Sequence, residues 1–324
     1  MKVNKSVKAS IIIRAYNEEA HIGKLIFGLQ QQTEKNFEII VVDSGSTDRT
    51  ALIAEESGAK IISIKKSDFS FGRAINIGAE QAVGKYLVFV SAHVYPLTNC
   101  WLEKLLEPFE SEKITVSYGK QRGGDTNKFS EHQLFETWFP DESSRQKSGF
   151  FCNNANCAIR KDHWHDRPYD EDLTGLEDLD WAKKSVEAGG EVAYVPSATI
   201  IHIHDETWKQ VRNRYMREAM TMRRIEPEKL SFSFFEFVQL FLWNSMRDAI
   251  IAKQTNVLSK KWREIILFRY NQFWGTYQGY CKVDVDLDDL RRRLYYPQDR
   301  SYSKQPIVAE RSNRIDYSTF DDAV

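Results

Sequence analysis

The chain has 324 residues, and its 45 Lys and Arg against 46 Asp and Glu leave a formal charge of −1, which argues against a protein that grips nucleic acid mainly through phosphate. At about 150 residues per domain, this length holds one large domain or a domain with an appendage. With 42% hydrophobic and 28% charged residues, the composition is that of a folded globular protein, neither disordered nor collagenous. The first ten residues lack the apolar core of a secretory leader, and nowhere do about 18 apolar residues run on. A cytoplasmic chain is expected. Cys100, Cys152, Cys157 and Cys281 are too few for a disulfide framework and are expected to be reduced packing residues.

Residues 9–14 form a short β-branched run, and 18–32 follow as an amphipathic helix with Ile22, Leu25, Ile26 and Leu29 on one face. Residues 37–42 predict a second strand, broken by Asp43-Ser44-Gly45-Ser46 before a helix over 47–57. A strand over 60–64, a helix over 72–83 and a strand over 86–90 complete the series, which stops at Ser91-Ala92-His93. Such alternation predicts parallel βαβ units, and the polar breakers at the C-terminal strand ends put a ligand crevice there. The middle section is less regular. It predicts a helix near 99–110, a strand near 114–119, a mobile loop at 122–127, a short strand over 157–160, a helix over 177–188 and a closing pair of strands over 192–204. From Trp208 onward the pattern is helical, and the last thirty or so residues read as an extended tail. The expected organisation is an α/β domain over 1–205, a helical region over 206–295 with acceptor, membrane-surface or oligomer contacts, and a tail over 296–324.

No glycines follow the first strand, so the pyrophosphate loop of a dinucleotide-binding fold has no support. Asp43 can accept a hydrogen bond from a nucleobase or ribose, or can serve with Thr47 as a turn and helix cap; the residues alone leave both open.

Arg14-Ala15-Tyr16-Asn17-Glu18-Glu19, then the segment around Asp43, then residues 69–93 resemble the nucleotide-binding half of an inverting family 2 glycosyltransferase with the GT-A fold, over about 9–205. The resemblance implies a Rossmann-like, mostly parallel central sheet flanked by helices, here with a C-terminal helical extension. It implies that Asp43 contacts the base, that Arg14, Tyr16 and Glu18 line the nucleotide pocket, and that Asp68, Arg73 and Asn76 belong to the segment closing over base, ribose and diphosphate. A uridine or deoxythymidine nucleotide is favoured. Where the family usually has Asp-x-Asp, this chain has Ser91-Ala92-His93. Two carboxylates would hold a divalent cation on the donor diphosphate. A single His cannot do so by charge, but its imidazole can ligate Mn²⁺. In Ile201-His202-Ile203-His204 the two histidines share one face of a strand, so His204, with His202 as the fallback, is the second ligand candidate, for a cation bound together with the diphosphate. The other reading is that His93 only hydrogen-bonds phosphate.

Glu177-Asp178 resembles the family's Glu-Asp motif and implies Asp178 as the base that takes the acceptor hydroxyl proton, with Glu177 orienting it or binding acceptor. Acids crowding a helix N-terminus are the plainer explanation of the same residues. Asn153, Asn154 and Trp181 are candidates for donor-sugar or acceptor contact. Cys152, Cys157, His163 and His165 match no common zinc module. Arg212, Arg214, Arg217, Arg223 and Arg224 with Tyr215 could meet a polyanionic or lipid-diphosphate acceptor or an anionic membrane surface. The apolar stretch at 232–243 is too short to span; core or dimer packing and a membrane dip both fit it.

The sequence therefore reads as a glycosyltransferase moving a sugar from a nucleotide-diphosphate donor to a glycan or lipid-linked acceptor in surface polysaccharide synthesis. It would be cytoplasmic or peripheral on the inner face of the cell membrane, and monomeric or a homo-oligomer. The alternative is a non-catalytic nucleotide-sugar binding or scaffold subunit, motivated by the missing carboxylate pair. A nucleotidyltransferase would want a Gly-rich loop with a basic residue near the first strand, and residues 14–19 supply none.

Overall fold

The computed structural model describes residues 6–146, 149–227, 231–281 and 313–321. Strands β1 (Ala9–Ala15), β2 (Phe37–Asp43), β3 (Lys60–Ser63) and β4 (Tyr86–Ser91) alternate with helices α1 (Ile22–Gln30), α2 (Thr50–Glu56) and α3 (Phe71–Glu80) and run parallel in the order β3-β2-β1-β4. Their side chains alternate strictly. Ile11, Ile13, Val41, Val88 and Val90 join α1 on one side, while Ile12, Ile40, Val42, Leu87 and Phe89 join α3 on the other. Burial on both faces is why β1, β2 and β4 read as apolar runs, whereas β3 at the edge is short and partly exposed.

The sheet continues through β5 (Val94–Pro96), α4 (Trp101–Leu106), β6 (Ile114–Gly123), α5 (Phe129–Trp138), β7 (Ser144–Gln146), β8 (Asn156–Arg160), α6 (Lys161–Asp166), α7 (Glu177–Glu187) and β9 (Glu191–His202). Antiparallel β8 lies between β4 and β6, β9 runs parallel to β6, and β5 and β7 pair antiparallel with β9. Among the described residues this makes nine strands in one mixed sheet.

Three features of the middle section differ from expectation. The closing strand pair is one strand, β9. Pro196 has no N–H to give the ladder, and the chain bulges there instead of reversing, so register shifts between Gly119 and Gln121. Gly119 is required at that crossing, because a Cβ would lie 2.1 Å from the Ala198 carbonyl oxygen. The loop expected to be mobile is tied down by buried Asn127, whose Oδ1 accepts from the backbone N–H groups of Gly124 and His204. Helix α5 was not expected at all. Its inward stripe begins with Ser130 and Glu131 ahead of Leu134 and Phe135, so polar residues hide the helical period.

The remaining helices are α8 (Trp208–Ile225), α9 (Phe234–Gln254), α10 (Leu258–Tyr280) and α11 (Ser318–Asp321). Reciprocal capping boxes, Thr207 with Gln210 and Ser233 with Glu236, start α8 and α9. Gly275 and Gly279 let α10 lie directly on the α8 carbonyls of Arg212 and Met216. The stretch at 232–243 divides: Phe237 and Leu240 are buried while Phe235, Leu242 and Trp243 face outward. Of the expected tail, residues 296–312 and 322–324 lie outside the described residues. Residues 313–321 return to the α/β domain, with Arg314 bridging Thr98, Tyr317 donating to the Pro96 carbonyl and Phe320 against Phe27. Among the described residues no helix is long and apolar enough to cross a membrane.

A buried ion pair ties α9 to α10 and reaches the sheet domain through α5. Arg269 of α10 makes two bonds to Asp248 of α9, at 2.7 and 3.0 Å, and donates to the Ser130 carbonyl of α5. Both side chains are almost fully excluded from water. Asp248→Ala should therefore cost about 3–5 kcal/mol by leaving the guanidinium unpaired in the interior. Urea unfolding followed by circular dichroism checks this; a loss below 1 kcal/mol would mean that the charge has another way out.

Candidate active site

The C-terminal ends of β1 and β2 form the first wall. Asp43 is buried, and its carboxylate accepts from the backbone N–H groups of Gly45 and Ser46 at 3.1 Å, closing the turn that Gly45 makes at φ +87°. Its Oδ1 receives only the longer contact from Ser46, at 3.4 Å, so a lone pair remains for a ligand. Tyr16 is exposed, with Lys66 donating to its hydroxyl at 2.8 Å and lying over its ring. Asp68 and Arg73 sit at the surface beside this wall. Asn76 does not belong to it. Its side chain donates to Tyr169 O and Glu171 and accepts from Trp164 Nε1 and the Tyr169 N–H, which uses all four of its hydrogen-bonding positions in tying α3 to 164–171.

The second wall is the start of α7. Leu176 is held at φ +52° immediately before it, a costly conformation for a side-chain-bearing residue. Glu177 accepts from Arg14 Nη1 at 2.9 Å and from the Asn154 amide at 3.3 Å. Asp178 accepts from the backbone N–H groups of Asn154 (2.8 Å) and Leu179 (2.9 Å). Burial, reinforced by the charge of Glu177, outweighs these bonds and pushes the Asp178 carboxyl up to about 7. Arg14 and Arg217 both lie over the Phe71 ring, at 4.9 and 5.1 Å, and Arg14 is the guanidinium that meets the acid pair. Asn153 accepts from the Ala155 N–H and remains partly exposed. Trp181 is corrected: it is 2% exposed, stacks on Tyr169 and donates to the Arg167 carbonyl, so it is core and out of reach of a sugar.

The third element is a cluster of imidazoles. Ser91 ends β4 in register with Arg14, and two residues on His93 stacks on His202 with centroids 5.1 Å apart. His204 lies edge-on to His202, with their Nε2 atoms 3.0 Å apart. In all three rings Nδ1 faces an acceptor: Glu18 at 2.8 Å for His93, Gln121 at 2.7 Å for His202 and Glu131 at 2.7 Å for His204. In a neutral ring this geometry puts the proton on Nδ1 and leaves Nε2 as the free ligand atom, while the 3.0 Å contact between the Nε2 atoms of His202 and His204 is a hydrogen bond when one of them carries a proton. One nitrogen of each ring lies within 4.8 Å of the others. Burial, followed by the neighbouring imidazoles His204 and His93, holds His202 well below the ordinary histidine range, hence neutral. Burial would raise Glu131, but His204 and then Arg214 outweigh it and hold it well below the usual carboxylate range.

Gln121, Asn127, Glu131 and Arg214 were not anticipated in these roles. Arg214, expected to reach outward, is clamped between Glu131 and Glu206 at 2.6 Å each. Arg223 and Arg224 likewise bond the carbonyls of Gly279 and Asp172, and Tyr215 is buried. The α8 cations are therefore largely spent inside the chain.

Residues 10–166 match the family described as Glycosyl transferase family 2. The O-antigen chain rhamnosyltransferase WbaN of Salmonella anatum is 26% identical over 218 residues, covering 64% of this chain and 69% of that protein. Among solved structures, the mannosyltransferase PcManGT from Pyrobaculum calidifontis, in complex with GDP-Man and Mn²⁺, superposes with a TM-score of 0.57 at 13% identity over 87% of this chain and 89% of its own. TarS of S. aureus gives 0.53 at 17% identity over 82% of this chain, which spans only 55% of TarS.

The demotion of Asn76 is testable. Asn76→Ala should lower stability by about 3 kcal/mol through lost buried hydrogen bonds yet leave the nucleotide affinity of the folded protein unchanged by calorimetry. A tenfold weaker nucleotide with unchanged stability would return Asn76 to the binding site.

Proposed function

We propose that this chain, a family 2 glycosyltransferase of GT-A fold by its match over residues 10–166, moves a sugar from a nucleotide-diphosphate donor to a hydroxyl of a glycan or lipid-linked acceptor with inversion. Residues 1–205 would carry the chemistry, in the cytoplasm or at the inner face of the cell membrane, in surface polysaccharide synthesis. The O-antigen function of WbaN supports that setting and makes a rhamnosyl donor the first to try. The observation that carries the reading is Asp178, a buried carboxyl pushed up to about 7 and braced by Asn154 beside the Arg14–Glu177 pair.

In this reading Asp43 and Tyr16 receive the nucleoside, and Arg14 stands toward the diphosphate. The acceptor oxygen attacks the anomeric carbon from the face opposite the diphosphate. Its proton passes to Asp178, and the electron pair of the breaking carbon–oxygen bond leaves with the nucleotide. Glu177 stays ion-paired and keeps the basicity of Asp178 high.

The donor set fits a divalent cation such as Mn²⁺. Three imidazoles with acceptors on Nδ1 and one nitrogen of each within 4.8 Å of the others are the usual arrangement of metal-ligating histidines. Two bare lone pairs 3.0 Å apart, on His202 and His204, also repel unless a proton or cation lies near them. His93, His202 and His204 would hold the ion, which when bound together with the nucleotide diphosphate neutralises leaving-group charge. This cluster takes the part of the missing carboxylate pair and so removes the motive for a non-catalytic scaffold.

The base assignment predicts a pH profile. Asp178 must be ionised to accept a proton, so kcat/KM should fall tenfold per pH unit below about 7 and level off above it. Asp178→Asn should lower kcat by about 10² to 10⁴-fold and leave nucleotide affinity intact; wild-type turnover in that variant rules the base out. For the cation, His93→Ala should erase any advantage of Mn²⁺ over Mg²⁺, since imidazole ligation favours the former. Undiminished transfer in excess EDTA would leave the imidazoles with a role in phosphate contact alone.

A further inference from the structure

The inner faces of α9 and α10 close on each other through Phe237, Leu240 and Asp248 on one side and Ile265, Phe268 and Arg269 on the other. Among the described residues, nothing covers their outer faces. Leu242, Trp243, Met246 and Ile250 are each more than half exposed, and their spacing puts them along one side of α9. Trp262 and Ile266 of α10 add to the exposed apolar surface of the hairpin. Apolar surface of this extent marks a docking face.

The charges around it say what docks. Among the described residues of α9 and α10, the exposed charged side chains are Arg247, Lys253, Lys260 and Arg263, and every one is cationic. The acids of the same helices are withdrawn: Asp248 is buried against Arg269, Glu264 binds Lys261 and the Phe129 N–H, and Glu236 caps α9. A second copy seated face to face would set cations against cations with no acid on the patch to answer them. An anionic lipid surface answers both features, taking the aliphatic side chains into the acyl boundary, the indoles at headgroup level and the cations against phosphate.

The geometry points to α9 and α10 as a helical hairpin that lies on an anionic membrane surface without crossing it. The surface is distinct from Arg214, Arg223 and Arg224 of α8, which bind within the chain. This inference does not depend on the sugar-transfer chemistry. Through Glu264 the hairpin holds the start of α5, whose Glu131 positions His204.

The test is co-sedimentation of the full chain with vesicles of phosphatidylcholine alone and of phosphatidylcholine with 30% phosphatidylglycerol, an order-of-magnitude anionic load of the kind that attracts polybasic surfaces. Partitioning should be at least about tenfold stronger on the anionic vesicles and should weaken with salt. Trp243→Ser with Trp262→Ser, and separately Lys253→Glu with Arg263→Glu, should each lower it about tenfold. All four side chains are exposed, so the thermal midpoint should not move. Equal partitioning on both vesicles would overturn the proposal. So would a dimer in sedimentation velocity that the tryptophan variant dissociates, because the face would then belong to a second copy.

Discussion

The salt bridge between Arg14 and Glu177 is the contact on which the rest of the site depends. It joins residues 163 positions apart, one at the end of the central strand β1 and the other at the first turn of α7, at 2.9 Å with both side chains mostly shielded from water. Glu177 Oε1 also receives the Asn154 amide, and the backbone N–H of Asn154 fixes Asp178. The end of β1, the acid pair and the 153–155 loop are therefore bonded into one unit. Removing either charge would strand the other in a poorly solvated place. It would also change the electrostatic setting of Asp178, whose elevated basicity comes from burial first and Glu177 second.

The imidazole cluster follows a different electrostatic strategy from a carboxylate pair. The negative charges lie behind the rings, on Glu18 and Glu131, and imidazoles face the centre. Each acceptor comes from a separate part of the fold: the loop after β1, β6 for Gln121, and α5. Arg214 neutralises Glu131 from α8, so the C-terminal helices contribute to the cluster although none of their side chains enters it. The buried Arg269–Asp248 pair extends that linkage to α9 and α10. The imidazole cluster and the hairpin proposed to meet the membrane are thus linked through α5.

Much of this was legible in the sequence, for identifiable physical reasons. Strands β1, β2 and β4 are buried on both faces, so their apolar runs stand out, and the polar residues ending them mark the crevice. His202 and His204 signalled a shared face through their spacing, and the rings do meet, at 4.1 Å between centroids. What the sequence hid were positions where packing, not residue type, decides the role. Asn76 and Trp181 are good ligand contacts by chemistry but are consumed by 164–171 and by Tyr169. Glu131 broke the periodicity of α5 because its function requires a carboxylate on the buried side of that helix. The pair of strands expected over 192–204 is one strand with a bulge at Pro196.

A single base opposite a departing diphosphate implies one displacement, and stereochemistry reports that directly. The decisive measurement is the anomeric configuration of the first-formed product, read by proton NMR during transfer from a donor of known configuration. The account predicts an inverted linkage in every turnover. A product that keeps the donor configuration would require a second displacement or front-face attack, and would contradict the role given to Asp178.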